Sequence, residues 1–202
     1  MARLFVGLDI HEPLLGGLSE ARGGVESAHW QRDNQLHLTL AFIGDASRKV
    51  TQEIEYALAD IRFEPFELSL VGVGMFGKPG CPKTLWAGVA NRAPLLHLHE
   101  KVATALERID VEVDRRKYKP HVTLARFRRG AQARVGDWLT TNERLATGTT
   151  QVESFLLLSS ERTSEGSFYR HEAEFHALGH DISGGPVSDE ADYSQWALVG
   201  AE

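Results

Sequence analysis

Apolar and polar residues alternate through Asn34-Gln35-Leu36-His37-Leu38-Thr39-Leu40-Ala41-Phe42, and again through Lys119-Pro120-His121-Val122-Thr123-Leu124-Ala125-Arg126-Phe127. A period of two is that of a strand with one face buried. Leu36, Leu38 and Leu40 then share the core face of the first strand, and His37 and Thr39 share the other. Val122 and Leu124 back His121 and Thr123 in the same way. An imidazole and a hydroxyl side by side on the polar face of a strand, twice in one chain, point to a site.

The same reading predicts a strand at Arg3–Ile10 and a helix over residues 12–27. That helix rests on Leu14, Leu15, Leu18, Ala21 and Val25 at helical spacing and is weakened by Gly16, Gly17, Gly23 and Gly24. Ser47 is placed to cap a helix running to Asp60, with Val50, Ile54, Ala57, Leu58 and Ile61 facing inward. A strand at Phe66–Val73 leads into a Gly- and Pro-rich loop over 74–82. A strand at Thr84–Ala90 follows, then a helix opened by Pro94 and ending near Arg108. Beyond the second histidine strand come a helix over 133–145 and two strands, Val152–Ser159 and Phe168–Phe175, around a hairpin turn at Thr163–Ser167.

The order of these elements repeats. Leu4-Phe5-Val6-Gly7-Leu8 matches Leu85-Trp86-Ala87-Gly88-Val89 at an offset of 81, and His37-Leu-Thr-Leu-Ala matches His121-Val-Thr-Leu-Ala at 84. Each half, about 1–80 and 81–178, reads strand, helix, histidine strand, helix, strand. The expected fold is α+β: two lobes related by a pseudo-twofold, each an antiparallel sheet with flanking helices, forming a central groove that brings His37 and His121 face to face. Residues 1–178 form one domain. Residues 179–202 are acidic, contain four Gly and lack periodicity, so they read as a tail, docked if at all through Trp196 and Leu198.

Composition narrows the class. With 42% hydrophobic and 25% charged residues the chain is an ordinary globular protein. It has no apolar run of membrane-spanning length and no signal-peptide pattern. The single Cys81 excludes an internal disulfide framework and fits a cytoplasmic protein. A net charge of −6 argues against a generic nucleic-acid binder. Yet seven of the 22 basic residues (Arg115, Arg116, Lys117, Lys119, Arg126, Arg128 and Arg129) fall within residues 115–129, leaving 15 against 28 acids elsewhere. A basic segment around His121 in an otherwise acidic chain marks a local anion site, although Arg115, Arg128 and Arg129 read equally well as a solvated loop.

The tetrapeptides His37-Leu-Thr-Leu and His121-Val-Thr-Leu resemble the paired signatures of the 2H phosphoesterase superfamily. The closer similarity is to its RNA 2′,3′-cyclic phosphodiesterases, the 2′-5′ RNA ligase family. It spans residues 3 to about 178 and takes in Arg3-Leu-Phe-Val-Gly-Leu-Asp, Gly44, Leu85-Trp86, Pro120-His-Val-Thr-Leu-Ala-Arg126 and Tyr169…Phe175. The resemblance implies hydrolysis of a ribose 2′,3′-cyclic phosphate, on RNA ends or small nucleotides, to a 2′-phosphomonoester. It implies no metal, no cofactor and a monomer, with His37 as proton donor and His121 as proton acceptor. The chemistry of the residues agrees. Histidine, with an ordinary pKa near ~6.5, can activate water or protonate a departing ribose oxygen. Each threonine hydroxyl can bond non-bridging phosphate oxygens as charge builds there. RNA 2′-5′ ligation, or non-catalytic binding of RNA ends in the same groove, are the alternatives.

Other residues are less settled. Arg126 would suit a phosphate bidentately. Alternation, however, places it with Val122 and Leu124, so it reaches the groove only if the strand ends or bulges there. By the same parity Phe42 belongs to the core. Phe5, Trp86 and Tyr118 are better candidates for stacking on a base, with ordinary packing the commoner role for each. His171 and His176 lie five apart rather than four and fall on opposite faces of a strand, which excludes a zinc protease signature. His97 and His99 lie nearly opposite each other on a helix. No phosphate-binding glycine loop for ATP is present.

Overall fold

The computed structural model describes residues 2–114, 117–163 and 166–179. Arg115, Arg116 and the tail with Trp196 and Leu198 lie outside them. Within the described residues nine strands alternate with four helices: β1 (Ala2–Asp9), α1 (Leu14–Ser19), β2 (His29–Trp30), β3 (His37–Ala46), α2 (Arg48–Ala59), β4 (Phe66–Lys78), β5 (Cys81–Val89), α3 (Ala93–Glu107), β6 (His121–Arg126), α4 (Gly136–Thr141), β7 (Ala146–Val152), β8 (Ser154–Thr163) and β9 (Gly166–His176). The fold is α+β, with a curled antiparallel sheet. Among the described residues no helix is long and apolar enough to cross a membrane.

Strand order explains the curl. The path β7-β4-β5-β6-β3-β1-β8-β9 is palindromic about its centre, where β6 and β3 are paired only at Leu38 and Val122. Each lobe is thus a four-stranded antiparallel sheet, extended in one by the two-residue β2 paired with β6, and the lobes are not the sequence halves. β4 of the first half joins β5, and β8 and β9 of the second half join β1. Exchange of the outer strands ties the lobes together through the core as well as at the central junction.

Leu38, Leu40, Val122 and Leu124 face this core, where they meet Ile54 and Leu58 of α2 and Leu95, Leu98, Val102 and Leu106 of α3, all at most 1% exposed. Ser47 caps α2 through its side chain, which accepts from Val50 N–H at 3.4 Å. Pro94 opens α3. Both helices end within one residue of their predicted limits, since cap chemistry and a 3.6-residue apolar stripe are local signals.

Other elements depart from expectation. The predicted helix 12–27 is only six residues long, because Gly23 and Gly24 adopt φ of +145° and +75°, which end helical geometry soon after Ser19. The predicted helix 133–145 shrinks to Gly136–Thr141. Thr140 bonds back to Gly136 O and Asn142 Nδ2 caps Trp138 O, so side chains compete with further helical turns. The expected loop 74–82 is instead the far end of a hairpin that turns at Pro79-Gly80. Gly74 and Gly77 belong to β4: a Cβ on Gly74 would stand 2.2 Å from the ring of Trp86, which lies across it. Strand β7 has no counterpart among the predicted elements, because an edge strand reading Ala-Thr-Gly-Thr-Thr-Gln-Val shows no apolar alternation.

Candidate active site

Both histidines stand at the start of their strands, and their surroundings repeat. In His37 the ring Nδ1 faces Gln35 O at 2.9 Å, and in His121 it faces Lys119 O at 2.6 Å. A carbonyl only accepts, so Nδ1 carries the hydrogen in each and Nε2 is left to act as acid or base. The Leu38–Val122 pairing sets an antiparallel register in which His37 lies across from Thr123 and Thr39 across from His121. Each histidine therefore faces the other motif's threonine. The two imidazoles are thus diagonal neighbours, positions that lie on the order of 7–8 Å apart in a regular ladder.

Aromatic walls set each ring. Phe5 and Tyr169 pack on His37 with centroids at 4.9 and 4.8 Å. Phe76 and Trp86 pack on His121 at 4.9 and 6.1 Å. Phe5 and Trp86 are equivalent in the repeat, and both support a histidine. Tyr118 stacks on His99 instead.

His37 is 8% exposed, and burial, with Arg126 and His121 nearby, pulls its pKa down to about 4 against the opposing pull of the Gln35 carbonyl and Asp9. His121 is also lowered, chiefly by burial and then by Arg126. Both shifts favour the neutral ring at pH 7.

A cavity of about 480 Å³ opens beside the junction, lined by Thr39, Thr123, His121, Phe76, Lys83, Lys117, Lys119 and Arg126. Here two expectations resolve together. Between Val6 and Gly7 the register of β1 against β3 skips Leu40, and between Leu85 and Trp86 the register of β5 against β6 skips Leu124. The bulges fall at equivalent positions. Each puts two consecutive residues into the core, Leu40-Ala41 and Leu124-Ala125, and reverses the parity of the residues beyond them. Arg126 thereby turns into the cavity. Phe42, at the equivalent position of the first motif, does the same: it is 54% exposed and lines the cavity, which corrects its assignment to the core.

The basic run divides. Lys117, Lys119 and Arg126 line the cavity, whereas Arg128 and Arg129 lie outside its lining. Sequence reasoning did not find Lys83, Phe76 or His99 as cavity residues, since only the pairing of β5 with β6, the pairing of β4 with β5 and the packing of α3 on β3, respectively, bring them there. His171 sits beside the site in an ion pair with Asp9 at 2.9 Å, which raises its pKa.

Two histidines held by equivalent carbonyls and set across from each other's threonines, with His121, both threonines and four cationic side chains lining one cavity, match the arrangement expected of a two-histidine phosphoesterase. The sequence profile of the 2′-5′ RNA ligase superfamily matches residues 13–164, and the chain belongs to that family. An RNA 2′,3′-cyclic phosphodiesterase of Archaeoglobus fulgidus is 31% identical over 175 residues, covering 83% of this chain and 96% of the relative. Its counterpart in Aeropyrum pernix is 36% identical over 148 residues, covering 68% and 80%. Among solved structures, a Thermus thermophilus protein superposes with a TM-score of 0.72 at 26% identity, covering 89% of this chain and 100% of that one. Escherichia coli LigT shares the fold, with a TM-score of 0.69 at 21% identity, covering 87% and 97%.

Proposed function

We propose that the protein is a metal-independent RNA 2′,3′-cyclic phosphodiesterase that opens ribose 2′,3′-cyclic phosphates by two-histidine acid/base catalysis. The observation that supports this reading is the crossed register of the two motifs, in which both histidines keep Nε2 available and His121, Thr39 and Thr123 line one cavity.

In the proposed step His121 takes a proton from water, whose oxygen bonds to phosphorus. The bond from phosphorus to O3′ breaks, and His37 gives its proton to that oxygen, leaving a 2′-phosphomonoester and a free 3′-hydroxyl. Thr39, Thr123 and Arg126 bond the non-bridging oxygens as their charge grows. Burial, which lowers its pKa to about 4, leaves His37 itself unprotonated at pH 7. The substrate carries the remedy: an anionic phosphate against a buried imidazole favours its charged form. The reverse direction exchanges the two roles, and with them hydrolysis for ligation.

Hydrolysis of a 2′,3′-cyclic nucleotide in EDTA, with the product isomer identified by phosphorus NMR, tests the reading. A 2′-phosphate should form, and His37→Ala or His121→Ala should each lower kcat by at least ~100-fold. Undiminished turnover in both single variants would falsify it.

A further inference from the structure

Past Leu38 and Val122 the strands β3 and β6 separate, and carbonyls of the β3 bulge need partners from outside that ladder. Two side chains of the second half supply them. Tyr118 Oη donates to Thr39 O at 2.9 Å. His99 Nδ1, facing a group that only accepts, donates to Leu40 O at 2.8 Å. The two rings stack on each other, with centroids 4.0 Å apart and planes 14° from parallel, so each donor braces the other. The equivalent bulge in β6 is held by main chain instead. There Leu124 O accepts from Gln31 N–H at 2.8 Å, and β2 pairs with Ala125 and Arg126.

We propose that His99 and Tyr118 are positioning residues for the first motif: by gripping both sides of the β3 bulge they aim the Thr39 hydroxyl and the Phe42 ring into the cavity. The inference rests on the reading of the site as a cyclic phosphodiesterase. The physical reason is the one-residue slip. If Leu40 entered the ladder, every later side chain would change faces, Phe42 would turn inward and Thr39 would be re-aimed. A hydrogen bond to the carbonyl of the very residue whose hydroxyl meets phosphate leaves that hydroxyl little freedom, and small misplacements of such groups are costly. Tyr118 is partly buried and has its hydroxyl pKa pushed well above the ordinary range, so it remains a neutral donor throughout the working pH range.

A double-mutant cycle on the full chain tests this. Tyr118→Phe removes one hydroxyl, and it should lower kcat by about 3- to 10-fold, the equivalent of one hydrogen bond, at a temperature where its melting curve shows it folded. In a Thr39→Ala background the same change should alter kcat by less than about 2-fold, because the hydroxyl being aimed is gone. His99→Leu should behave like Tyr118→Phe, and His99→Asn, whose amide can still donate to Leu40 O, should recover part of the loss. A purely structural role predicts a lowered Tm with native kcat and KM at 25 °C in Tyr118→Phe and His99→Leu, or losses that add fully onto Thr39→Ala; either result overturns the inference. Native turnover in Thr39→Ala overturns the reading of the site itself, and the inference with it.

Discussion

The two motif strands are one design used twice, and the informative features are the places where they part. Both hold a histidine by the carbonyl two residues before it, and both carry a bulge after the threonine. Beyond that bulge the first strand presents Phe42 and the second Arg126. The first histidine is sealed under Phe5 and Tyr169, whereas the second remains more open beside Phe76 and Trp86. Even the anchoring differs. Gln35, which holds His37, is itself tied to Ser167 O of β9 at 2.9 Å and accepts from Arg32 N–H at 3.0 Å. Under the proposed mechanism, backbone symmetry supplies a matched pair of acid/base groups. Side-chain asymmetry then divides the labour, because two equal histidines would compete for one proton instead of exchanging it across a phosphate.

The largest effect comes from removing either member of the pair. His37→Ala and His121→Ala should each cost at least ~100-fold in kcat, and the double variant little more than the worse single, since the two act as one unit. Simple additivity of the two losses would argue against coupled proton transfer. Next comes the charge that distinguishes the second strand. Arg126→Ala removes the proposed charge-assisted contact to phosphate and should cost about 10- to 100-fold in kcat/KM. Its second effect is on pH. Arg126 lowers both histidines, so its loss should raise both pKa values toward 6.5 and move both limbs of the kcat/KM profile to higher pH. In the native protein those limbs should belong to His37, lowered to about 4, and to His121, lowered from 6.5, so the optimum of kcat/KM is expected on the acid side of 6.5. An alkaline optimum would show that the free protein holds the histidines in another environment.

Phe42 sharpens the comparison from the other strand. As a core residue its truncation would cost ~3–5 kcal/mol, the ordinary result for buried phenylalanine. At 54% exposure Phe42→Ala should leave Tm almost unchanged and raise KM for nucleotide substrates by about 5- to 150-fold, reflecting ~1–3 kcal/mol of base stacking. Leu40→Ala, two residues earlier and 1% exposed, should show the reverse pattern, with a loss of ~2–5 kcal/mol in stability. Thermal melts of the two variants side by side decide whether the bulge lies where the register places it.

That pair also marks how far the sequence could be read. Leu38, Thr39 and His37 were legible because alternation is a property of neighbouring residues, and the duplication turned two weak signals into one strong one. Phe42 and Arg126 were not. A bulge is set by the partner strand and by groups such as Tyr118 and Gln31 that arrive from far along the chain, so parity counted along one strand fails after it. The exchange of outer strands between lobes was hidden for the same reason: pairing of β8 with β1 is a choice among distant partners. Polar edge strand β7 gave no periodic signal at all. Lys83 lies outside the basic run and enters the cavity only through the β5–β6 pairing.

The smallest predicted effect is the most selective. Asp9 lies across from His37 in the β1–β3 ladder and raises the pKa of His37, while no influence of Asp9 on His121 accompanies it. Asp9→Asn keeps the size of the side chain and removes the charge, so His37 should titrate lower and His121 should not move. In the kcat/KM profile only the acid limb should shift, and toward lower pH, opposite in sign to the shift in Arg126→Ala. Because Asp9 is bonded to His171 at 2.9 Å, a control in His171→Gln separates the effect of the carboxylate from that of its partner. Movement of the alkaline limb instead would assign that limb to His37 and invert the order of the two pKa values, and equal movement of both would show that the pair titrates as a single coupled unit. One conservative substitution on the neighbouring strand therefore reports which histidine owns which limb, the feature that backbone symmetry conceals.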